Sequence, residues 1–247
     1  MSALPLLYLD DHLVVVHKPS GLLVHRTSLD FHETRFAMQL VRDQLGRRVY
    51  PVHRLDKGTS GALAFALSPE VGRAMNALFE ARQVEKDYLA VVRGWPDEAG
   101  EIDHPLERRI DDAETWGGPM PSGAQDALTH YRRLATIELP WAIDRYPTSR
   151  YALLALHPLT GRRHQLRRHL KHISHPIIGD ATHGKGRHNR AFADAFGVSR
   201  LLLANTRLAF VHPVTGTALD LACPLADDYR AVLDALGWPW PDTGTGA

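Results

Sequence analysis

One cysteine in 247 residues, Cys223, excludes an internal disulfide and a cysteine-built zinc site, and fits a reducing compartment. Long apolar runs are missing too. The densest early one, Leu13 to Val16, stops at His17 and Lys18, far short of the ~20 residues a membrane-spanning helix needs. From Met1 to Asp11 no basic region precedes a sustained apolar core, so the makings of a secretory signal are absent. Charge of one sign is also lacking. Lys and Arg number 29 against 28 Asp and Glu, so a nucleic-acid binder with this composition must concentrate its charge. No internal repeat, long low-complexity tract or dinucleotide fingerprint is present. The expectation is a soluble, cytoplasmic protein with no membrane partner and no obligate protein partner.

What is present is ample material for a core, 44% apolar residues, patterned as short strands and a few helices. Leu6 to Tyr8 and Leu13 to Val16 are β-prone and flank an Asp-Asp turn signal, which predicts a hairpin. Phe36, Leu40, Val41 and Gln44 fall at helical spacing before Gly46, and Ser68-Pro69 opens a second helix carrying Val71, Met75, Leu78 and Phe79. Ala62 to Leu67, Val84 to Arg93, Tyr151 to Leu156 and Leu201 to Leu208 read as strands. Leu225, Tyr229, Val232, Leu233 and Leu236 mark a last helix before Gly237. Strands outnumber helices without strict alternation, which predicts an α+β fold with a mixed or mostly antiparallel sheet. Gly117 to Gly123 reads as an interior loop, and 239–247 as a frayed tail.

Charge is concentrated. Residues 157–190 hold eight Lys and Arg, seven His and a single acid, Asp180, while 97–126 hold nine acids against Arg108 and Arg109. Such a lopsided field orients a polyanion, and the dominance of Arg suits phosphate geometry.

Three strings carry possible chemistry. In His53-Arg54-Leu55-Asp56-Lys57-Gly58-Thr59-Ser60-Gly61, a carboxylate flanked by cations precedes an apolar strand. An acid kept charged suits a nucleophile or base, and the alternative is an Asp bonding to amides of its own turn. In Gly161-Arg162-Arg163-His164-Gln165-Leu166-Arg167 a turn passes into a His-rich helix. The imidazoles of His164, His169, His172 and His175 come with no cysteine and almost no acid, so no metal is expected. Gly179 to Gly186 nearly spells a phosphate loop, but Gly186 stands where a hydroxyl must hold magnesium, which argues against a nucleotidase. Tyr88 is either a core strand tyrosine or a stacking platform facing a cleft.

Together these strings resemble the RluA-type pseudouridine synthases. HRLDKGTSG (53–61) is similar to the family's HRLDxxTSG signature, Val16 to Gly21 to its first motif, Lys86-Asp87-Tyr88 to its K-x-Y element, and GRRHQLRRHL (161–170) with HPIIGD (175–180) to its third motif. One departure stands at Leu203-Ala204-Asn205, where such enzymes tend to read Leu-His-Ala; the loss of an imidazole beside the cleft is the expected result. The resemblance implies a mixed, mostly antiparallel sheet with flanking helices and a central catalytic cleft, built as a single catalytic domain over 1–238 with no S4 RNA-binding domain. It implies isomerisation of uridine to pseudouridine without metal or cofactor. Asp56 is then the catalytic carboxylate, Arg167 its partner, and Tyr88 the ring under the uracil. Arg54 fills the gap left by a flipped nucleotide, and His53, Lys18, Arg162, Arg163, His164, Arg168 and Lys171 contact RNA. The implied substrate is tRNA, at position 65; the rivals are ribosomal RNA and an RNA-binding module without catalysis.

Overall fold

The computed structural model describes residues 3–25, 33–107 and 123–240. Its opening hairpin, β1 (Leu6–Leu9) and β2 (Leu13–Lys18), turns on Asp10, whose carboxylate accepts the amide protons of His12 and Leu13. There follow α1 (Ala37–Leu45), β3 (Tyr50–Pro51), β4 (Ser60–Ala66), α2 (Pro69–Glu80) and β5 (Glu85–Arg93). Next come β6 (Ala99–Asp103), β7 (Leu106–Glu107), β8 (Ala124–Gln125), β9 (Leu128–Leu139) and β10 (Ser149–Pro158). The last elements are α3 (Gln165–His172), α4 (Gly186–Phe196), β11 (Leu203–Val211), β12 (Ala218–Ala222) and α5 (Asp227–Ala235). The expected helix signals operate: Gly46 closes α1, and the Ser68 hydroxyl caps α2 by accepting from the Val71 amide, with Pro69 in the first turn. The interior loop at 117–123 falls almost wholly outside the described residues, as does most of the tail.

One ten-stranded sheet runs in the order β1, β2, β4, β11, β5, β10, β9, β6, with β3 also paired to β4 and β12 to β11. Among the described strands only β4 and β11 pair in parallel, over Ser60 with Ala204 and Gly61 with Asn205, so the sheet is mixed and mostly antiparallel as expected. At that crossing the backbones nearly touch. A Cβ on Gly61, whose φ is +124°, would lie 2.1 Å from the Asn205 carbonyl oxygen, so only glycine fits.

Helices cover both faces. On one, α1 packs Ala37 and Val41 against Val14, Val16, Leu63 and Phe65, while α3 packs Leu166 and Leu170 against Ala90, Val92, Ala152 and Leu154. On the other, α2 lays Val71 and Met75 on Leu13, Ala62 and Leu208, and α4 and α5 lay Phe192, Tyr229 and Leu233 on Leu89, Val91 and Leu153. Tyr88 packs against both clusters of the first face, α1's and α3's. None of the described helices is long and apolar enough to cross a membrane.

Candidate active site

The segment before β4 is stitched to the segment after β2. The Gly21 amide donates to the Lys57 carbonyl at 2.8 Å, and the Ser20 hydroxyl donates to the Gly58 carbonyl at 2.7 Å. Lys18 completes the seam. Its ammonium donates to the carbonyls of Pro19, Leu22 and Lys57, and the side chain is fully buried. Burial pushes its pKa down to about 7, Asp56 opposing and Arg200 assisting. This corrects the reading of Lys18 as an RNA contact: every ammonium proton serves the fold, and none reaches solvent. Lys18→Met is therefore expected to cost about 1–3 kcal/mol of stability by stranding buried carbonyls. The salt dependence of RNA affinity is expected to stay as in the wild type; melting curves and binding titrations at several salt concentrations check both.

The turn so held presents Asp56, with 16% side-chain exposure, to Arg167 of α3, whose Nη1 donates to Asp56 Oδ2 at 3.1 Å. The cation at the carboxylate is thus Arg167, 111 residues away in sequence, and not the neighbouring Lys57, which points outward and pairs with Glu33 at 2.7 Å. The other oxygen, Oδ1, lies 3.9 Å from His164 Nε2. His164 caps α3 with φ 53°, a left-handed conformation that a non-glycine residue adopts only under constraint from its surroundings. Burial lowers its pKa to about 4 although Asp56 pulls the other way, so the ring is neutral at neutral pH.

Asp56, Tyr88, Arg54, His53, Arg162, Arg163, His164 and Arg167 line one cleft of about 670 Å³, a volume within the range of pockets that enclose a small ligand. Tyr88 faces it from β5, opposite Leu156 and Asn205 on the flanking strands. Burial pushes the phenol's pKa well above the ordinary value, Asp56 adds to this and Asn205 works against it, so the hydroxyl stays protonated. His53 reaches the cleft as a fixed wall: Nε2 accepts from the Ala64 amide, the ring stacks on Phe79 at 5.1 Å, and burial lowers its pKa to about 3. Arg168 and Lys171 lie outside the cleft lining. Arg168 donates to the Glu107 carbonyl at 3.0 Å, as Arg162 does to the Asp126 carbonyl at 3.0 Å, and Lys171 is exposed.

Several histidines of the basic stretch turn inward: His169 bonds Thr129 and the His104 carbonyl, His175 bonds the Arg93 carbonyl, and His188 sits between Tyr151 and Asp144, while the exposed His172 stacks on His104 at 3.7 Å. Among the described residues no three His, Cys, Asp or Glu side chains gather in a metal-binding arrangement. The departure at Leu203-Ala204-Asn205 is corrected by strand alternation. Ala204 is buried among Leu89 and Val91 on the face away from Tyr88, so a side chain there does not border the cleft. Asn205 faces the Tyr88 side, and its amide bridges the carbonyls of Asp87 and Arg207 across a bulge in β11.

Three residues stood inside the motifs without being given a role. Gln165 is a buried latch, its carbonyl accepting from Thr160 and the Arg162 amide while its amide donates to Leu128 and Thr129. Lys86, adjacent to Asp87-Tyr88, lines the cleft with its pKa lowered by burial. Asp180 grips Arg167 with both oxygens, from Nε at 2.7 Å and Nη2 at 2.8 Å. Its signal in the sequence was its solitude: it is the one acid among residues 157–190.

The family model for RNA pseudouridylate synthase matches residues 12–172, which contain Asp56, Tyr88 and Arg167. The tRNA pseudouridine synthase C of Yersinia pestis is 48% identical over 95% of this chain and 91% of its own length. That of Vibrio cholerae serotype O1 is 46% identical over 95% of this chain and 96% of its own. Among solved structures, Human RNA Pseudouridylate Synthase Domain Containing 4 superposes with a TM-score of 0.71 at 28% identity, covering 96% of this chain and 95% of that one.

Proposed function

The chain belongs to the RluA-type RNA pseudouridylate synthases and is an isomerase, and on that premise we propose that its substrate is uridine in tRNA, at position 65. The observation that carries the reading is the carboxylate of Asp56 held at the cleft wall by Arg167 at 3.1 Å, with the Tyr88 ring lining the same hollow. Isomerisation breaks the C1′–N1 bond, turns the uracil and joins C1′ to C5, the C5 proton being lost and N1 gaining one. No electrons enter or leave. Asp56 supplies the negative oxygen for attack on the sugar or for proton removal from it. Tyr88 offers a flat, uncharged platform for the loosened base. Arg167 keeps the carboxylate aimed.

A uridine inside an RNA helix cannot reach this recess, so it is flipped out at a cost of a few kcal/mol, and Arg54 at the cleft wall takes its place in the stack. Phosphate contacts from Arg162, Arg163, Arg168 and Lys171 offset that cost. Residues 1–238 act as one catalytic unit, and the setting is the cytoplasm. Two readouts test the proposal. Pseudouridine mapped across tRNA and ribosomal RNA, with and without the gene, is expected to disappear from tRNA position 65; disappearance from ribosomal RNA alone would replace the substrate. Affinity for tRNA is expected to fall steeply with added salt, with a slope made shallower by about one for each phosphate-contacting cation removed; a flat profile would rule out the arginine contacts.

A further inference from the structure

The string Gly179 to Gly186, unsuited to a nucleotide, folds as a tight turn around a different anion, its own Asp180. Asp180 Oδ1 accepts from the Thr182 amide at 2.9 Å and the His183 amide at 2.8 Å, and its side chain is wholly buried. Its carbonyl accepts from the Gly184 amide and from Asn189 Nδ2, while Asn189 Oδ1 accepts from the Gly179 amide. The wrap is close: a Cβ on Gly184 would lie 2.2 Å from the Asp180 carbonyl oxygen. From this turn two contacts reach the residues beside Asp56. Asp180 takes Nε and Nη2 of Arg167, and His183 Nε2 lies 3.2 Å from His164 Nδ1.

We propose that the turn is a positioning element for the isomerisation, in which Asp180 grips the Nε and Nη2 edge of the Arg167 guanidinium and holds it in the orientation from which Nη1 alone reaches the catalytic carboxylate. A guanidinium meets a carboxylate best through two parallel N–H bonds. Here Asp180 takes the Nε and Nη2 edge and so fixes the plane of the guanidinium, and Asp56 receives one bond from Nη1, to Oδ2, leaving Oδ1 toward His164 and the cleft. With Asp180 neutralised, Arg167 is free to turn its fork onto Asp56 and cover both oxygens. Asp180 touches no reacting atom; it acts through Arg167.

The inference rests on the isomerase reading and is tested with the full chain. Asp180→Asn is compared with wild type in single-turnover reactions at saturating tRNA, with RNA dissociation constants and melting temperatures measured alongside. The rate is expected to fall about 10- to 100-fold, as small misplacements of a catalytic group do, with the dissociation constant within about threefold of wild type. In an Arg167→Met background the same substitution is expected to slow the residual reaction by less than about threefold, because its route to Asp56 is gone. Asn189→Ala keeps the Asp180 carboxylate charged but loosens the turn that aims it; it is expected to lower the rate without weakening binding, and it carries the test where Asp180→Asn does not fold. An unchanged rate, a loss that multiplies with that of Arg167→Met, or RNA binding lost in step with the rate overturns the proposal. A wild-type chain that modifies only ribosomal RNA would overturn the proposed substrate instead, and the same comparisons are then read on that RNA.

Discussion

Asp56→Asn is expected to abolish pseudouridine formation, with a loss of at least about 10³-fold, while tRNA affinity stays within about threefold of wild type. The asymmetry follows from geometry. The amide oxygen of asparagine still accepts the Arg167 Nη1 bond, so the wall of the cleft keeps its shape, and the cations proposed to hold phosphates lie on other side chains. What disappears is the negative oxygen, which no neighbour replaces: His164 is neutral at neutral pH and Tyr88 is protonated. Single-turnover assays and binding titrations on one preparation separate the two effects. Equal loss of affinity would assign Asp56 to the architecture of its turn, the alternative the sequence left open.

Arg167→Met is expected to damage stability and activity together. The guanidinium is buried between two carboxylates, Asp56 and the wholly buried Asp180, and removing it strands the latter without a counter-charge, at a cost of about 3–5 kcal/mol. The dependence on pH gives this its signature. Burial works to raise the Asp180 carboxyl, but hydrogen bonds from Arg167 and from the His183 and Thr182 amides outweigh it, and the pKa lies below its ordinary value. A carboxyl lowered in the folded state contributes stability above its unfolded pKa of about 4, and that contribution is lost as the pH falls through the folded value. In Arg167→Met the stranded carboxyl instead resists ionisation, so the variant's deficit is greatest near neutral pH and shrinks in acid, where Asp180 takes up a proton. Melting temperatures of both proteins from neutral pH down to about pH 4 measure the gap; a gap independent of pH would mean that Arg167 contributes packing rather than charge.

Much of this site was legible because its chemistry is written in contiguous strings. HRLDKGTSG specifies both a turn and the acid it presents, and the alternation in 84–93 put Tyr88, Ala90 and Val92 on one face, as they are. What the strings hid was long-range. The expectation that Arg54 and Lys57 hold Asp56 charged came from adjacency, yet Lys57 faces Glu33 and the partner at the carboxylate comes from α3. The resemblance implied that Lys18 contacts RNA, and lysines seldom go inside; three convergent carbonyls make this one an exception. The twelve-residue β9 was missed because its half-exposed, charge-bearing sequence, LTHYRRLATIEL, lacks a clean apolar period. The fold class survived these errors because it depends on the count and order of strands, not on where individual side chains point.

The short parallel contact between β4 and β11 has a consequence for biosynthesis. The turn bearing Asp56 leads into β4, while Tyr88 lies on β5, and in the sheet these two strands are joined only through β11. A nascent chain therefore makes its carboxylate and its aromatic platform early and cannot bring them side by side until Leu203 and the residues after it have left the ribosome. Catalytic competence therefore waits for β11, and a polypeptide released before that strand carries Asp56, Tyr88 and Arg167 with no frame to assemble them.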